Sequence, residues 1–211
     1  MVFLLGNIAN IGFAGQRGAE IFSTQCAACH GNAGIDTEAP ILFGQEPAYI
    51  VKSLVAFKHG HRKDRIMTAM NAIAAALSDD DIRDLAVFVA GQDACRVDLK
   101  IDPRREGFRA AFIAGRQKYV SANCSHCHQS FHHHAPRLAD QKAGFLAKAL
   151  QQFKAGERRA PMMAQLLRTW TSEDFNNVVT YLSGLRLMRG CGDSHRLSAC
   201  RNCSMSQPLS N

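Results

Sequence analysis

The sequence predicts an all-α protein built from two tandem copies of one helical unit. A five-residue motif occurs twice, as CAACH at residues 26–30 and as CSHCH at residues 124–128, 98 positions later. The segments around both motifs also match each other, which indicates an internal repeat. No segment alternates between apolar and polar residues over the length of a strand, so we predict no sheet. We place the first copy at residues 16–91 and the second copy at residues 108–184.

Each copy is predicted to open with a helix that runs into the motif, over residues 16–25 and about residues 108–122. In both helices a glycine stands one turn before an aromatic residue. A glycine in this position indicates a close helix crossing, because the missing side chain lets a second helix approach. The two pairs are Gly18 with Phe22 and Gly115 with Tyr119.

The middle helix of each copy is predicted after a loop that contains a proline and a glutamine. The first of these helices has Pro47 at its start, and both carry apolar residues at helical spacing. Both end in Gly-x-Arg, where the glycine suits the left-handed conformation that closes many helices. This segment repeats at a constant offset of 96 residues. The matched residues are Pro40 and Pro136, Gln45 and Gln141, Gly60 and Gly156, and Arg62 and Arg158.

The final helix of each copy carries the clearest local signals. Ser78 and Thr171 each stand three residues before an aspartate, which predicts a capping box at the helix N-terminus. Apolar residues follow at i, i+3, i+4 and i+7, and Gly91 or Gly184 ends the pattern. These signals predict two amphipathic helices that pack on the rest of their copies.

Cys-x-x-Cys-His is the attachment signature of c-type haem. Two thiols on one helical turn each form a thioether with a haem vinyl group, and the imidazole that follows reaches the iron as the proximal ligand. A zinc site would have to pool cysteines from motifs 98 residues apart, and a thioredoxin-like dithiol would need a βαβ context that the sequence does not predict. We therefore expect two covalently bound haem c groups. Their attachment residues are Cys26, Cys29, Cys124 and Cys127, and the axial histidines are His30 and His128.

The sequence resembles the dihaem cytochrome c4 family, which has two tandem class I cytochrome c domains. The resemblance covers about residues 16–184 and rests on CAACHGNAG, PILFGQEPAYIVKSLVAFKHGHR and MNAIAAALSDDDIRDLAVFVAG, with their counterparts in the second copy. It implies two haems with His/Met ligation in a soluble periplasmic or membrane-associated electron carrier. It also implies that the carbonyl groups of Pro40 and Pro136 accept hydrogen bonds from the proximal imidazoles.

Each copy offers two methionines for the axial position that this resemblance implies. We predict Met70 and Met163, because each lies seven residues before equivalent positions at the start of the two final helices. Met67 and Met162 lie ten and eight residues before those positions and break the repeat, with Met67 the stronger of the two alternatives. Filling the apolar core is the other role open to any one of these side chains.

The net charge of +7 is distributed unevenly. Residues 16–91 carry seven Lys and Arg against nine Asp and Glu, whereas residues 108–184 carry ten against four. Such an asymmetry orients a carrier before contact, so we expect the second copy to dock an acidic partner surface while the first exchanges electrons with another protein. A solvated surface with uneven charge is the alternative. We expect no nucleic-acid partner, because no binding motif is present. The candidate docking residues are Lys142, Lys148 and Lys154.

Three further segments fall outside the two copies. Residues 1–15 are apolar but lack a basic start, so we interpret them as a partial signal or a lead-in to the first helix. Residues 92–107 are interpreted as a linker, and residues 185–211 as an irregular Cys-rich tail. Four cysteines have no assigned role: Cys95, Cys191, Cys200 and Cys203. A solvated loop is expected at His132, His133 and His134, with bis-His ligation of the second haem as the alternative.

These observations favour an electron carrier without enzymatic activity. By the resemblance, its donor is a quinol-oxidising complex or similar, and its acceptor is a terminal oxidase or reductase. A dihaem peroxidase would need an open or removable sixth ligand, whereas both copies offer a methionine. A cytochrome subunit bound to a dehydrogenase or flavoprotein is the closer alternative. We expect His59, His61 and His126 at the surface rather than at iron.

Overall fold

A computed structural model describes residues 9–30, 39–63, 69–92, 106–128, 135–139 and 141–185. Within these ranges all regular secondary structure is helical, which confirms the predicted all-α class. In the first copy the helices are α1 (Ala9–Ile21), a π-helical turn (Phe22–Cys26), α2 (Ala27–His30), α3 (Pro47–Lys58), α4 (Ala69–Ala76) and α5 (Asp79–Gly91). In the second they are α6 (Phe108–Ser121), α7 (Cys124–His128), α8 (Ala143–Lys154), α9 (Pro161–Leu167) and α10 (Ser172–Ser183).

The two copies share one packing plan. In each copy the first helix packs on the last helix: α1 packs on α5, and α6 packs on α10. The middle helix packs on the last two helices of its copy. In the first copy α3 contacts α4 and α5, and in the second α8 contacts α9 and α10. Each copy has its own apolar core in the described part of the chain. The first core includes Ile21, Ile50, Leu54, Ile82 and Val89, and the second includes Tyr119, Leu146, Leu167, Val178 and Leu182.

The predicted close crossings are confirmed at both glycines. A Cβ atom on Gly18 would lie 2.3 Å from the Asp84 carbonyl oxygen, and one on Gly115 would lie 1.9 Å from that of Asn177. Both distances are far below any real Cβ contact, so only glycine lets these backbones meet. The aromatic residue one turn later completes each crossing. Its ring pairs with one on the final helix, Phe22 with Phe88 at 5.6 Å and Tyr119 with Tyr181 at 5.5 Å between centroids.

The predicted helix ends are confirmed as well. Ser78 accepts a hydrogen bond from the Asp81 amide at 3.0 Å, and the Asp81 carboxylate accepts one from the Ser78 amide at 3.2 Å. Thr171 and Asp174 form the same reciprocal pair on α10. The middle helices stop where a glycine enters the left-handed region, at Gly60 (φ 69°) and Gly156 (φ 72°).

The copies meet through two buried glutamines that the repeat places in equivalent positions. The side-chain amide of Gln141 makes two hydrogen bonds to the main chain of Ile41. Its Oε1 accepts from the Ile41 N–H at 2.8 Å, and its Nε2 donates to the Ile41 carbonyl oxygen at 3.0 Å. The Gln45 amide does the same to Arg137, at 2.6 Å and 3.1 Å. Ile41 and Arg137 directly follow the two prolines singled out by the repeat. The interface therefore forms one residue after each of these two prolines.

Several predictions lie wholly or mostly outside the described residues. Helix α1 begins at Ala9, inside the segment interpreted as a lead-in, while residues 1–8 are not described. Met67, the histidine run at residues 132–134, most of the linker and nearly all of the tail are also outside, with all four cysteines of unassigned role. The proposed domain boundaries therefore stay predictions. None of the described helices is both long enough and apolar enough to cross a membrane.

Candidate functional site

The chain enters the first motif without leaving the helix. Helix α1 widens into the π-helical turn, which delivers Cys26 to the core and continues into α2 with Cys29 exposed and His30 buried. The Cys26 thiol lies 3.8 Å from the Ile21 carbonyl oxygen, five residues back. In the second copy α6 ends at a turn through Asn123, whose φ is 53°, before α7 carries the motif. Both copies thus present two thiols and an imidazole on one short helical segment, which in the first copy begins in the π-helical turn.

The two motif histidines have equivalent partners in the two copies. Nδ1 of His30 lies 2.7 Å from the Pro40 carbonyl oxygen, and Nδ1 of His128 lies 2.8 Å from that of Pro136. A carbonyl oxygen only accepts, so Nδ1 must be the protonated nitrogen in both rings. Nε2 then keeps its lone pair, which is what an iron ligand requires. Burial lowers the pKa of His128, although its bond to Pro136 opposes the shift, so the ring is neutral near pH 7.

The first thiol of each motif is not an activated nucleophile. Burial raises the pKa of Cys26 to about 11, and burial, together with the nearby Cys127, raises that of Cys124 to about 11. A dithiol redox site needs a thiolate with a lowered pKa, so this environment argues against that alternative. Among the described residues no three His, Cys, Asp or Glu side chains are grouped to hold a bare metal ion. The donor set in each copy instead fits covalent haem: two thiols, the first of them buried or partly buried, and one oriented imidazole.

The two predicted methionines occupy equivalent places. Met70 is the second residue of α4 and packs against the first core, and Met163 lies on α9 and packs against the second. Met162, the neighbouring alternative, is 76% exposed. Asn71, which sequence reasoning missed, donates from its amide to the carbonyl oxygens of Phe57 and Arg62, both at 2.9 Å, and so ties the start of α4 to the end of α3.

The Gly-x-Arg segments of both copies line one cavity of about 220 Å³. The Arg62 guanidinium lies over the Phe57 ring, and Arg158 lies over Phe153 and donates to the Tyr49 hydroxyl at 2.6 Å. Burial acts to raise the pKa of Tyr49, but the charges of Arg158 and Arg62 outweigh it and hold that pKa below its usual value. Guanidinium groups bind carboxylates well, and haem carries two of them. The sequence showed the repeat of these arginines but gave no sign that they converge.

The remaining histidines of the described chain are peripheral. His59, His61 and His126 are all exposed, as predicted, and the rings of the first two lie 6.2 Å apart.

Lys154 was a candidate docking residue, but its ammonium group donates to the Trp170 carbonyl oxygen and lies 5.5 Å from the centre of the Phe175 ring. Lys58 makes the equivalent bond to Leu77 in the first copy. These two lysines therefore hold the chain ahead of the final helices.

Comparison with known proteins gives the same picture. The family model described as cytochrome c oxidase, cbb3-type, subunit III matches residues 13–89. The chain is 33% identical to cytochrome c-552 of Acidithiobacillus ferridurans, over 77% of this chain and 74% of that protein. It is 31% identical to cytochrome c4 of Thiocapsa roseopersicina, over 76% and 86%. The structure of Acidithiobacillus ferrooxidans cytochrome c4 superposes with a TM-score of 0.64 at 28% identity, covering 77% of this chain and 99% of that one.

Two shorter matches are to proteins named for a thiosulfate dehydrogenase and a sulfide dehydrogenase. The chain is 40% identical to the thiosulfate dehydrogenase electron acceptor of Stutzerimonas stutzeri, over 31% of this chain and 32% of that protein. It is 41% identical to the cytochrome subunit of sulfide dehydrogenase of Chlorobaculum tepidum, over 23% and 44%. The long matches, the helical repeat and the paired donor sets agree. The chain therefore belongs to the dihaem cytochrome c4 family of electron-transfer proteins, with two covalently bound haem c groups.

Proposed function

We propose that this chain is a periplasmic electron carrier that connects a respiratory donor complex to a terminal oxidase or reductase. In this proposal Cys26, Cys29 and His30 hold the first haem. Cys124, Cys127 and His128 hold the second. The observation that carries the proposal is the repeated bond from a motif imidazole to a proline carbonyl, at 2.7 Å and 2.8 Å. It orients both rings for the same task.

The chain supplies a sixth ligand to each iron in this proposal, Met70 in the first copy and Met163 in the second. Haem iron held by His and Met exchanges single electrons at a raised potential and has no position left for a substrate. Both side chains pack against the cores of their copies rather than into solvent. An apolar surrounding of this kind keeps water out and limits the rearrangement that accompanies each electron transfer.

Charge supports a directional role for the second copy. In its described part Arg109, Arg116, Arg159 and Arg168 are exposed. Exposed cations steer association with an acidic surface, and salt screens the effect. Since Lys154 is used within the fold, exposed arginines are better probes of docking than this lysine. We propose that the second copy faces an acidic redox partner and that the first exchanges electrons elsewhere.

A cytochrome subunit of a dehydrogenase is the second candidate. The short matches to a thiosulfate dehydrogenase electron acceptor and to a sulfide dehydrogenase subunit favour it, because both are named for work with a catalytic partner. The two candidates differ in whether the chain stays bound to its partner. Affinity purification from the native host at physiological salt separates them: a carrier is recovered alone, and a subunit is recovered with a stoichiometric dehydrogenase.

Reductive titration of the purified holoprotein tests the carrier function itself. We expect the chain to take up two electrons, one per haem, and the ferrous protein to bind no carbon monoxide, because both axial positions are filled. Peroxide should not be turned over. Carbon monoxide binding at one haem, together with peroxide turnover, would contradict the proposal and favour a dihaem peroxidase.

A further inference from the structure

One peptide group in each copy lies between a motif histidine and a glutamine of the other copy. The carbonyl of the Pro40–Ile41 peptide accepts from Nδ1 of His30 at 2.7 Å, and the N–H of the same peptide donates to Oε1 of Gln141 at 2.8 Å. The Pro136–Arg137 peptide repeats the arrangement. Its carbonyl accepts from His128 at 2.8 Å, and its N–H donates to Oε1 of Gln45 at 2.6 Å.

The two glutamines are fixed in the orientation that this arrangement needs. Gln45 and Gln141 are only 5% and 4% exposed. In each, Nε2 donates to the carbonyl oxygen of the residue whose N–H reaches Oε1. Oε1 also accepts from the next main-chain amide, that of Glu46 at 3.2 Å or of Lys142 at 3.0 Å. Because these amides can only donate, the oxygen end of each glutamine side chain must face them.

Hydrogen bonds at the two ends of one peptide strengthen each other. A peptide whose N–H is bonded to an acceptor has a more negative carbonyl oxygen, and estimates put the gain at roughly 10–30% per bond in a chain. A stronger acceptor at Nδ1 makes the imidazole a better donor to iron and stabilises the ferric state. The glutamine oxygen therefore acts on the iron through one peptide and one imidazole.

We propose that each glutamine is a positioning residue for the haem of the other copy: Gln141 tunes the first haem, and Gln45 tunes the second. The proposal rests on His30 and His128 as proximal ligands. It makes each reduction potential depend on contact between the copies, so that a partner that shifts one copy against the other changes both potentials.

The two peptides differ in one respect. Beside the second, the Arg137 guanidinium makes an ion pair with Glu46, with both Nε and Nη2 2.7 Å from Oε1. The repeat places Ile41 and Lys142 at the equivalent positions, so this pair has no counterpart at the first peptide. The second site is thus held more firmly. The effect of removing the glutamine should be larger at the first haem, where the glutamine acts without a neighbouring ion pair.

The test uses full-length holoprotein with Gln141→Leu or Gln45→Leu. Gln151→Leu, which changes an exposed glutamine of α8, is the matched control. Potentials come from a spectroelectrochemical titration. Each wave is assigned by NMR of 15N-histidine-labelled protein at partial reduction. In the reduced state the Nδ1–H resonances of His30 and His128 report directly on the two bonds to proline.

We expect Gln141→Leu to weaken the His30 bond alone, which moves its Nδ1–H resonance upfield and raises the potential of the first haem. Mutation of a residue that is hydrogen-bonded directly to a metal ligand changes metal affinity by about tenfold or more. Gln141 is one hydrogen bond further from the ligand, so we expect a change of about threefold in the reduction equilibrium. That equals about 28 mV, at about 59 mV per tenfold for one electron. Gln45→Leu should shift the His128 resonance and the potential of the second haem in the same directions by a smaller amount, and Gln151→Leu should change neither haem.

Gln141→Glu provides a second variant if the leucine form folds poorly. It keeps an oxygen acceptor, adds negative charge and should lower the potential of the first haem. The proposal is overturned if Gln141→Leu shifts the second haem or both haems equally, or leaves the His30 resonance unchanged. If the variant keeps two Met-ligated haems and shows one of these results, the proposed role of the glutamines is refuted and the proposed function still stands. Loss of ligation in the unmodified protein would instead refute the proposed function.

Discussion

Replacing Gly18 with alanine should force apart the first and last helices of the first copy. The added Cβ would lie 2.3 Å from the Asp84 carbonyl oxygen, 0.7 Å inside the 3.0 Å that Cβ contacts respect. The obstacle is backbone, so no side chain can rotate away. Overpacking costs about 1–3 kcal/mol, and the better helix propensity of alanine offsets about 1 kcal/mol. Taking the upper end for a rigid obstacle, we expect a net loss of about 2 kcal/mol.

Gly15→Ala is the matched control, because Gly15 lies on the same helix and a Cβ added there would meet nothing within 4 Å. There alanine should stabilise by up to about 1 kcal/mol. For a unit of this size 2 kcal/mol corresponds to a fall in Tm of about 8–16 °C, measured by circular dichroism on the reduced holoprotein. The close-crossing argument is refuted if Gly18→Ala melts at or above the temperature of Gly15→Ala.

Three further predictions concern the helix cap and the charged surface. Ser78→Ala should destabilise the first copy by about 1 kcal/mol in urea denaturation, since it removes one half of the capping box; no loss would contradict the capping argument. The hydrogen bond from the Ser78 side chain, and to a lesser extent that from Arg17, holds the pKa of Asp81 below its usual value. The Asp81 carboxylate therefore stabilises the folded state above about pH 4, and this stabilisation disappears as the pH falls through the lower folded pKa. Asp81→Asn should therefore flatten the loss of stability on acidification, and an unchanged acid limb would count against it. Arg116→Glu should slow reduction of an acidic partner by about two- to tenfold at low salt and by less at high salt, whereas a rate independent of salt in both proteins would leave the charge asymmetry without a role.

The local parts of this structure were predictable from sequence. The sequence signals for the capping boxes, the helix-ending glycines and the glycine crossings each lie within one or two helical turns. Each of these features is confirmed where it was predicted. The internal repeat added further strength, because the signal at Ser78 recurs at Thr171 and the two copies support each other. The exposed positions of His59 and His61 were predicted from the general surface preference of such side chains, and the structure confirms them.

The contacts between the copies could not be read in advance. Gln141 meets Ile41 across 100 residues of chain, and nothing local distinguishes a glutamine that caps a loop from one that joins two copies. Asn71 was missed for a related reason. It has no counterpart in the second copy, where alanine stands at the equivalent position, so the repeat gave no signal. The bond from Lys154 to the Trp170 carbonyl oxygen was not predicted either, because it depends on how two helices pack, and the docking role of this exposed lysine stays a prediction.

The choice of methionine ligands is the point at which the two haem sites can be tested most directly. The far-red absorption band of the ferric protein is diagnostic of Met-ligated haem, and its intensity can be compared among Met70→Ala, Met163→Ala and the exposed neighbour Met162→Ala. We predict that each of the first two loses about half of the band, one haem of two, and that Met162→Ala keeps it in full. A full band in Met70→Ala or Met163→Ala, or a halved band in Met162→Ala, would contradict the arrangement of the two sites.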